Sequence, residues 1–334
     1  LVWDLDETLW RGVLLEDEAV ALRPEAEHVL RALDARGILS SIASRNDETS
    51  ALAKLEELGV ADYFLHPQVG WGTKVPAIRS IADALGFSLD AIAFIDDQPA
   101  ERDEVHASFP EVRCFDAADL ASLLDRPDFT PAEVTLEARD RRALYRRDLL
   151  RKEAEASFVG STEAFLASLE MSLTIAPARD GDLARAAELT ERTHQLNSTG
   201  YTYSRDELHA FAQDARYRVW IASLEDRYGD YGKIGLALVE NEDADPISTI
   251  KLLLTSCRVI SRGVGTIVLG FLLRRAQEEG RILRAELVPT SRNRIMHVAY
   301  RFAGFREIEK RGEVILLEHD RSPPASLPPY VRVR

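Results

Sequence analysis

The first 125 residues alternate short apolar runs with amphipathic segments. "LVW" (1–3), "ILSSIAS" (38–44), "AIAFIDD" (91–97) and "VRCF" (112–115) read as buried strands, and "DYFLHPQVG" (62–70) as a weaker one. Between them a 3.6-residue apolar period predicts helices over 24–36, 47–58 and 76–85. Pro24 stands in the first turn of one, and Gly37, Gly59 and Gly86 lie just past the ends. Strands and helices in this rhythm predict βαβ units in a doubly wound α/β fold with a parallel sheet, whose ligand site lies beyond the carboxyl ends of the strands.

The pattern changes after residue 125. Residues 126–170 read as a helical linker that includes the arginine-dense "ARDRRALYRRDLLRK" (138–152), either a solvated connecting helix or a docking face for an acidic partner. Strands return at 172–176, 217–223, 233–239, 249–256 and 283–288, with helices near 180–193, 204–213, 265–279 and 294–302. This is the pattern of a second domain, α+β in character, over 171–320. "SPPASLPPYVRVR" closes the chain as a proline-rich tail over 321–334.

Composition narrows the function classes. The chain of 334 residues is 46% hydrophobic and 29% charged, ordinary for a globular protein, and no apolar run approaches the roughly 20 residues of a membrane span. Its formal charge of −14 argues against nucleic acid or an anionic membrane as partner, so any anionic substrate needs local cations. Cys114 and Cys257 are far apart and lack metal-site spacing, which fits a reducing cytoplasm. No signal peptide is visible. The chain starts inside a strand and without Met, so residues upstream are expected to be missing.

Candidate chemistry gathers at the predicted strand ends. Asp4 and Asp6 follow the first strand, Ser44 ends the second, Asp96 and Asp97 end "AIAFIDD", and Lys74 stands in a loop between them. Carboxylates one residue apart on an extended segment share a side and repel unless a cation separates them. Mg2+ takes oxygen ligands and usually keeps several waters. Asp4, Asp6, Asp96 and Asp97 are its candidate ligands here. The set suits phosphoryl transfer: Asp4 attacks phosphorus, Asp6 acts as general acid and then base, Ser44 binds phosphoryl oxygens, and Lys74 neutralises charge. Thr8 and Asn46 are further candidates for the phosphate's surroundings.

"DLDET" with Ser44, Lys74 and the "DD" pair resembles the four motifs of the haloacid dehalogenase superfamily. Many members carry a cap domain between the first and second or second and third motifs. Here those intervals hold only a helix and a short loop, and a helix and a strand. The expectation is an uncapped site, suited to a phosphate carried on a macromolecule.

In the second domain the turn Arg262–Gly265 ("RGVG") follows a strand and opens a helix, where free N–H groups and the helix dipole favour an anion. It resembles the pyrophosphate turn of GNAT acyltransferases, with Ile260 where that pattern usually has Gln or Arg. A phosphopantetheine or phosphorylated acyl donor is equally compatible with Gly263 and Gly265, and a plain helix-capping turn is the simpler alternative. Arg258 and Arg262 are the expected phosphate anchors. Cys257 is a candidate acyl nucleophile, its thiolate favoured by these arginines, or else a small strand residue. His194 is a candidate general base, Asn197 and Asn293 candidate ligands of hydroxyl or carbonyl groups, and Asp226 and Asp230 hairpin residues.

"DLDETLWRGV", "FIDDQPAER", "AELTERTHQLNST", "DRYGDYG", "SCRVISRGV" and Gly304–Phe305 together resemble the FkbH-like proteins of polyketide biosynthesis over essentially the whole chain. The resemblance implies transfer of a phosphoglyceryl group from 1,3-bisphosphoglycerate to the phosphopantetheine thiol of an acyl carrier protein, then dephosphorylation to glyceryl-S-carrier. It implies Mg2+ and no redox cofactor. His194–Asn197 (His-Gln-Leu-Asn where the family commonly has Asn-Gln-Phe-Asn), Gly265 (commonly Glu) and Ala43 (often Cys) depart from it. Two other readings remain at this point: a Mg2+ phosphatase fused to an acetyl-CoA-dependent N-acyltransferase, and a carrier-docking module whose second half is inactive.

Overall fold

The computed structural model describes residues 1–334 except Glu18, Ala132, Glu133, His194, Asp243, Pro324, Ala325 and the side chain of Leu136. The chain forms two units, Leu1–Lys152 and Glu153–Arg334.

Strands of the first unit are β1 (Val2–Trp3), a short hairpin β2 (Trp10–Arg11) and β3 (Ala21–Leu22), β4 (Ser41–Ser44), β5 (Gln68–Val69), β6 (Ala93–Asp96) and β7 (Arg113–Asp116). Its main sheet is parallel throughout, in the order β5-β4-β1-β6-β7. Both faces are covered, because neighbouring residues of each strand enter opposite cores. Trp3, Ile42 and Ile95 pack with Val29, Leu30 and Leu33 of helix Pro24–Ala35, whereas Val2, Ala43 and Phe94 pack with Ile78 and Ile81 of helix Lys74–Leu85. This is the expected doubly wound sheet. Among the described residues, only the hairpin and one helix separate Thr8 from β4, and only helix Glu48–Glu57, a 3-10 turn and β5 separate Ser44 from Lys74. No cap domain is inserted there.

Three expectations need correction in this unit. Lys74 is not in a loop; it is the first residue of its helix, with Thr73 in extended conformation before it. "DYFLHPQVG" yields only the two-residue β5, because Ala61–Tyr63 forms a 3-10 turn and Pro67 removes a ladder donor. The segment after residue 125 is no separate linker up to Lys152. Arg141 Nη1 donates to the Gly37 carbonyl at 2.7 Å, Arg142 pairs with Asp34 at 2.8 Å, and Arg146 pairs with Asp62 at 2.8 Å. These three arginines bond within their own unit, as the solvated-helix reading of the segment expects of structural charges.

The second unit carries β8 (Met171–Pro177), β9 (Tyr217–Asp226), β10 (Gly229–Asn241), β11 (Ile247–Thr255), β12 (Ile282–Leu287), β13 (Phe305–Arg311), β14 (Val314–His319) and β15 (Val331–Val333). They form one sheet in the order β13-β14-β12-β11-β10-β9-β8-β15, antiparallel except at β11/β12 and β8/β15. One face packs on helix Val264–Glu278 through Ile267, Val268 and Leu272; the other packs on helices Asp180–Arg192 and Arg205–Gln213 through Leu183, Ala186 and Leu208.

The sheet is interrupted at Lys251. Leu238 pairs with Leu252 but Val239 with Ile250, so Lys251 is an extra residue in a β-bulge. The slip reverses which side chains face which core: Ile250 and Leu253 belong to one, Leu252 and Leu254 to the other. The parallel β11/β12 ladder ends beside it, at Ile250 and Ala285, although both strands continue. Residues 196–198 fill the resulting fork. Ser198 N donates to the Leu253 carbonyl at 2.9 Å, Thr255 N to the Leu196 carbonyl at 3.0 Å, and Val288 N to the Ser198 carbonyl at 3.0 Å.

The tail is also corrected. Val331–Val333 pairs in parallel with Met171–Leu173, and Val331 enters the core, so the end of the chain is the sheet's edge strand. The segment 161–170, expected in the linker, supplies core residues Phe165, Leu166 and Leu169. No helix among the described residues is long and apolar enough to cross a membrane.

Candidate active site

Parallel pairing of β1 with β6 brings Asp4 next to the Asp96–Asp97 pair: Trp3 lies opposite Ile95, and Asp4 N donates to the Ile95 carbonyl at 3.0 Å. Carboxylate oxygens of Asp4, Asp96 and Asp97 lie within 4.8 Å of one another. Lys74, entering from the start of its helix, donates to Asp4 Oδ1 at 2.6 Å and also to Asp96 Oδ2. Asp4, Lys74, Ser44 and Asp96 are buried at 4% exposure or less, while Asp6 and Asp97 are half-buried. Of these side chains, Asp6 and Asp97 are the ones that reach solvent.

Burial decides the electrostatics. It pushes the Asp4 carboxyl up to about 7, and the nearby Asp96 charge adds to this while Lys74 opposes it. Burial and Asp96 raise Asp97 as well. Lys74 loses by burial, but Asp4 and Asp96 outweigh that and hold it above the usual lysine range. Were all three carboxylates ionised, the one ammonium would leave two negative charges uncompensated in a low-dielectric site, and burial together with that surplus raises Asp4 when no further cation is bound. Oxygen donors with that surplus fit a hard divalent cation.

Other predicted residues position these. Thr8, fully buried, accepts from Asp97 N at 3.0 Å through its hydroxyl, which also lies 3.5 Å from Asp97 Oδ1. Thr8 thus orients Asp97, where the sequence suggested a phosphate contact. Asp6 is not within the 4.8 Å carboxylate group, which corrects its assignment as a carboxylate ligand. Its Oδ1 accepts from Trp10 Nε1 at 2.7 Å and Leu14 N at 3.1 Å, and its Oδ2 from Asn46 Nδ2 at 2.9 Å. Asn46 therefore holds Asp6 rather than standing free for phosphate. Trp10 went unassigned in the sequence, and its place four residues after Asp6 was the available signal. Arg102 was also missed: it donates to the Asp96 carbonyl at 2.7 Å and pairs with Asp116 at 2.6 Å.

In the second unit the candidates separate. Cys257 is exposed at the start of the 3-10 segment Cys257–Arg262, and Arg258 next to it donates to the Tyr231 carbonyl at 2.8 Å. Gly263 (φ 71°) precedes helix Val264–Glu278 in the left-handed conformation, as the turn requires, and the Tyr330 hydroxyl lies 3.2 Å from where a Cβ would stand. Gly265 has room for a Cβ, with Thr255 Oγ1 at 3.6 Å.

Arg262 is not displayed as a phosphate anchor. It is 4% exposed, pairs with Glu155 at 3.0 Å and lies 5.4 Å from the Phe165 ring centroid. Its Nε and Nη1 have no hydrogen-bond partner among the described residues. Asn293 is committed to structure: Nδ2 donates to the carbonyls of Asn197 and Val288 at 3.0 and 2.9 Å, and Oδ1 accepts from Thr290 N at 2.8 Å. That corrects its expected substrate role. Asn197, fully buried, accepts from Thr199 N and Gly200 N, and its Nδ2 has no hydrogen-bond partner among the described residues. Asp226 accepts from Tyr228 N and Tyr231 Oη, and Asp230 from Gly232 N, as hairpin residues do. His194 lies outside the described residues. Cys114 is half-buried, its thiol pushed up to about 11 by burial, in keeping with a structural role.

No protein-family model and no curated protein matches this chain. Among solved structures, the N-terminal part of a Bacteroides fragilis protein, containing a phosphatase domain and complexed with Mg, aligns at 27% identity and TM-score 0.34. That alignment covers 37% of this chain and 38% of the other's length. The ribosomal-protein-S18-alanine N-acetyltransferase from Escherichia coli aligns at 18% identity and TM-score 0.36, over 44% of this chain and 92% of its own. The PaiA N-acetyltransferase from Thermoplasma acidophilum, in complex with coenzyme A, aligns at 14% identity and TM-score 0.36, over 44% and 98%.

Proposed function

We propose that the chain couples a Mg2+-dependent phosphatase, in the first unit, to an acyltransferase in the second. The pair loads a phosphoglyceryl group from 1,3-bisphosphoglycerate onto the phosphopantetheine thiol of an acyl carrier protein and leaves glyceryl-S-carrier. The observation that carries the phosphatase half is the Lys74 ammonium bridging Asp4 and Asp96, with Asp97 beside them, at the ends of adjacent parallel strands. The full reaction rests on the sequence resemblance. It is supported by an acyltransferase-like α+β unit joined to an uncapped phosphatase-like one.

In the transfer step, the carrier thiolate, or Cys257 before it, attacks the acyl-phosphate carbonyl; the C–S bond forms and inorganic phosphate leaves. In the hydrolytic step, Asp4 attacks the remaining phosphate ester, and the sugar-acid oxygen leaves with a proton from Asp6. Water deprotonated by Asp6 then cleaves the aspartyl-phosphate. Asp4, Asp96 and Asp97 would hold Mg2+, which neutralises phosphoryl charge when bound. Lys74 restrains Asp4 in the attacking orientation, and Asn46 and Trp10 hold Asp6.

Intact-mass spectrometry of a holo acyl carrier protein incubated with the chain, Mg2+ and 1,3-bisphosphoglycerate tests the reading. It expects a phosphoglyceryl adduct converting to a glyceryl adduct. A carrier of unchanged mass, with acetyl-CoA consumed instead, would replace it with an N-acyltransferase.

A further inference from the structure

Helix Arg294–Phe302 has two unlike faces. Met296 and Tyr300 point into the core, whereas Ile295, Val298 and Phe302 are 48%, 50% and 90% exposed. Residues 295, 298 and 302 form one stripe at helical spacing, and Arg294 and Arg301, seven residues apart, flank it on one side. Arg292 precedes the helix, and no Asp or Glu occurs from Leu287 to Arg306. Among the described residues none of these three guanidinium groups has a hydrogen-bond or ion-pair partner, unlike Arg141, Arg142 and Arg146, which bond within their own unit. A chain of net charge −14 thus keeps an apolar stripe edged with free cations on one short helix.

We propose that this face, Arg292, Arg294, Ile295, Val298, Arg301 and Phe302, docks an acidic helical protein, the acyl carrier protein of the reading above, on which the proposal rests. Charge complementarity selects the occupant. A second copy is disfavoured, because a two-fold contact would set the arginines of one helix against those of its mate. Nucleic acid and anionic membrane are repelled by the rest of the chain. Nine residues span only about 14 Å. A footprint that small falls short of the roughly 800 Å² per partner of a stable complex, and suits a carrier that must bind, react and leave.

Asn293, directly before the helix, bonds the carbonyls of Val288 and Asn197, which border the fork between β11 and β12. The start of the docking helix is therefore tied to the residues that close the fork, which gives the face a fixed backing.

Binding of a fluorescently labelled holo acyl carrier protein, followed by anisotropy in the presence of the full chain, tests this without requiring turnover. The proposal expects saturable binding that weakens with salt, at least tenfold weaker for Arg294→Glu/Arg301→Glu and for Phe302→Ser. Circular dichroism and thermal unfolding of the variants should match the wild type in both units, which shows that the helix and the second unit fold. Unchanged affinity in both variants overturns the proposal, as does an absence of binding by the wild type, or binding by this face only to anionic vesicles or to a second copy. Loading that persists with the variants at wild-type carrier KM refutes the surface and spares the reaction; binding lost in the variants while the wild type transfers no acyl group refutes the reaction and spares the surface.

Discussion

The Lys74 ammonium donates to Asp4 at 2.6 Å and simultaneously to Asp96, so one cation from a helix start spans two parallel strand ends. Removing it leaves buried carboxylates facing one another. Lys74→Met should cost about 3–5 kcal/mol of stability in metal-free protein at neutral pH. Phosphatase kcat should fall at least about 100-fold. Denaturant melts and p-nitrophenyl phosphate turnover check both, and the stability loss should shrink when Mg2+ is added.

The same cluster sets a pH dependence. Burial raises Asp4 from 3.8 to about 7, so the native state prefers it protonated. Its contribution to stability is complete below about pH 4 and is lost as pH rises through about 7. In metal-free protein the Tm contribution of this site should fall between those values, and saturating Mg2+ should remove the fall. Asp4→Asn should flatten the slope without Mg2+; a slope of the same size in that variant would assign it to another group.

The Trp10 indole holds Asp6 through a hydrogen bond to a charged acceptor, worth about 1.5–3 kcal/mol. Trp10→Phe keeps the buried ring and deletes the donor. Phosphatase kcat should fall about 10- to 100-fold with KM nearly unchanged.

Gly37 lies at φ 70°, and a Cβ there would stand 2.3 Å from the Ala138 carbonyl oxygen. Gly37→Ala should destabilise the first unit by about 2–4 kcal/mol through strain and the forced retreat of residues 138–141. Chemical denaturation measures it.

Much of this architecture was legible because its periodicities are strong. Val2, Trp3, Phe94 and Ile95 are all apolar since both faces of a parallel sheet are covered, and the motif carboxylates stand at the ends of just these strands. β13 was missed because its pattern is charged: Phe305 is buried and the next six residues are exposed, the composition of a guarded edge. β15 is three residues after a proline-rich run, and only its pairing with β8 makes it a strand. At the site, residue types gave the chemistry but not the partners. That Thr8 would serve Asp97, Asn46 would serve Asp6 and Arg262 would turn to Glu155 depends on distances between elements remote in sequence. The fork filled by residues 196–198 was equally hidden, since it follows from a one-residue slip at Lys251.

The division of labour between the units is tested most directly by intact-mass spectrometry of a holo acyl carrier protein with Asp4→Asn and 1,3-bisphosphoglycerate. The carrier should accumulate the phosphoglyceryl adduct and never reach the glyceryl mass. A glyceryl adduct formed at the wild-type rate would remove Asp4 from the hydrolytic step, and a carrier with no adduct would show that the two reactions do not occupy separate sites.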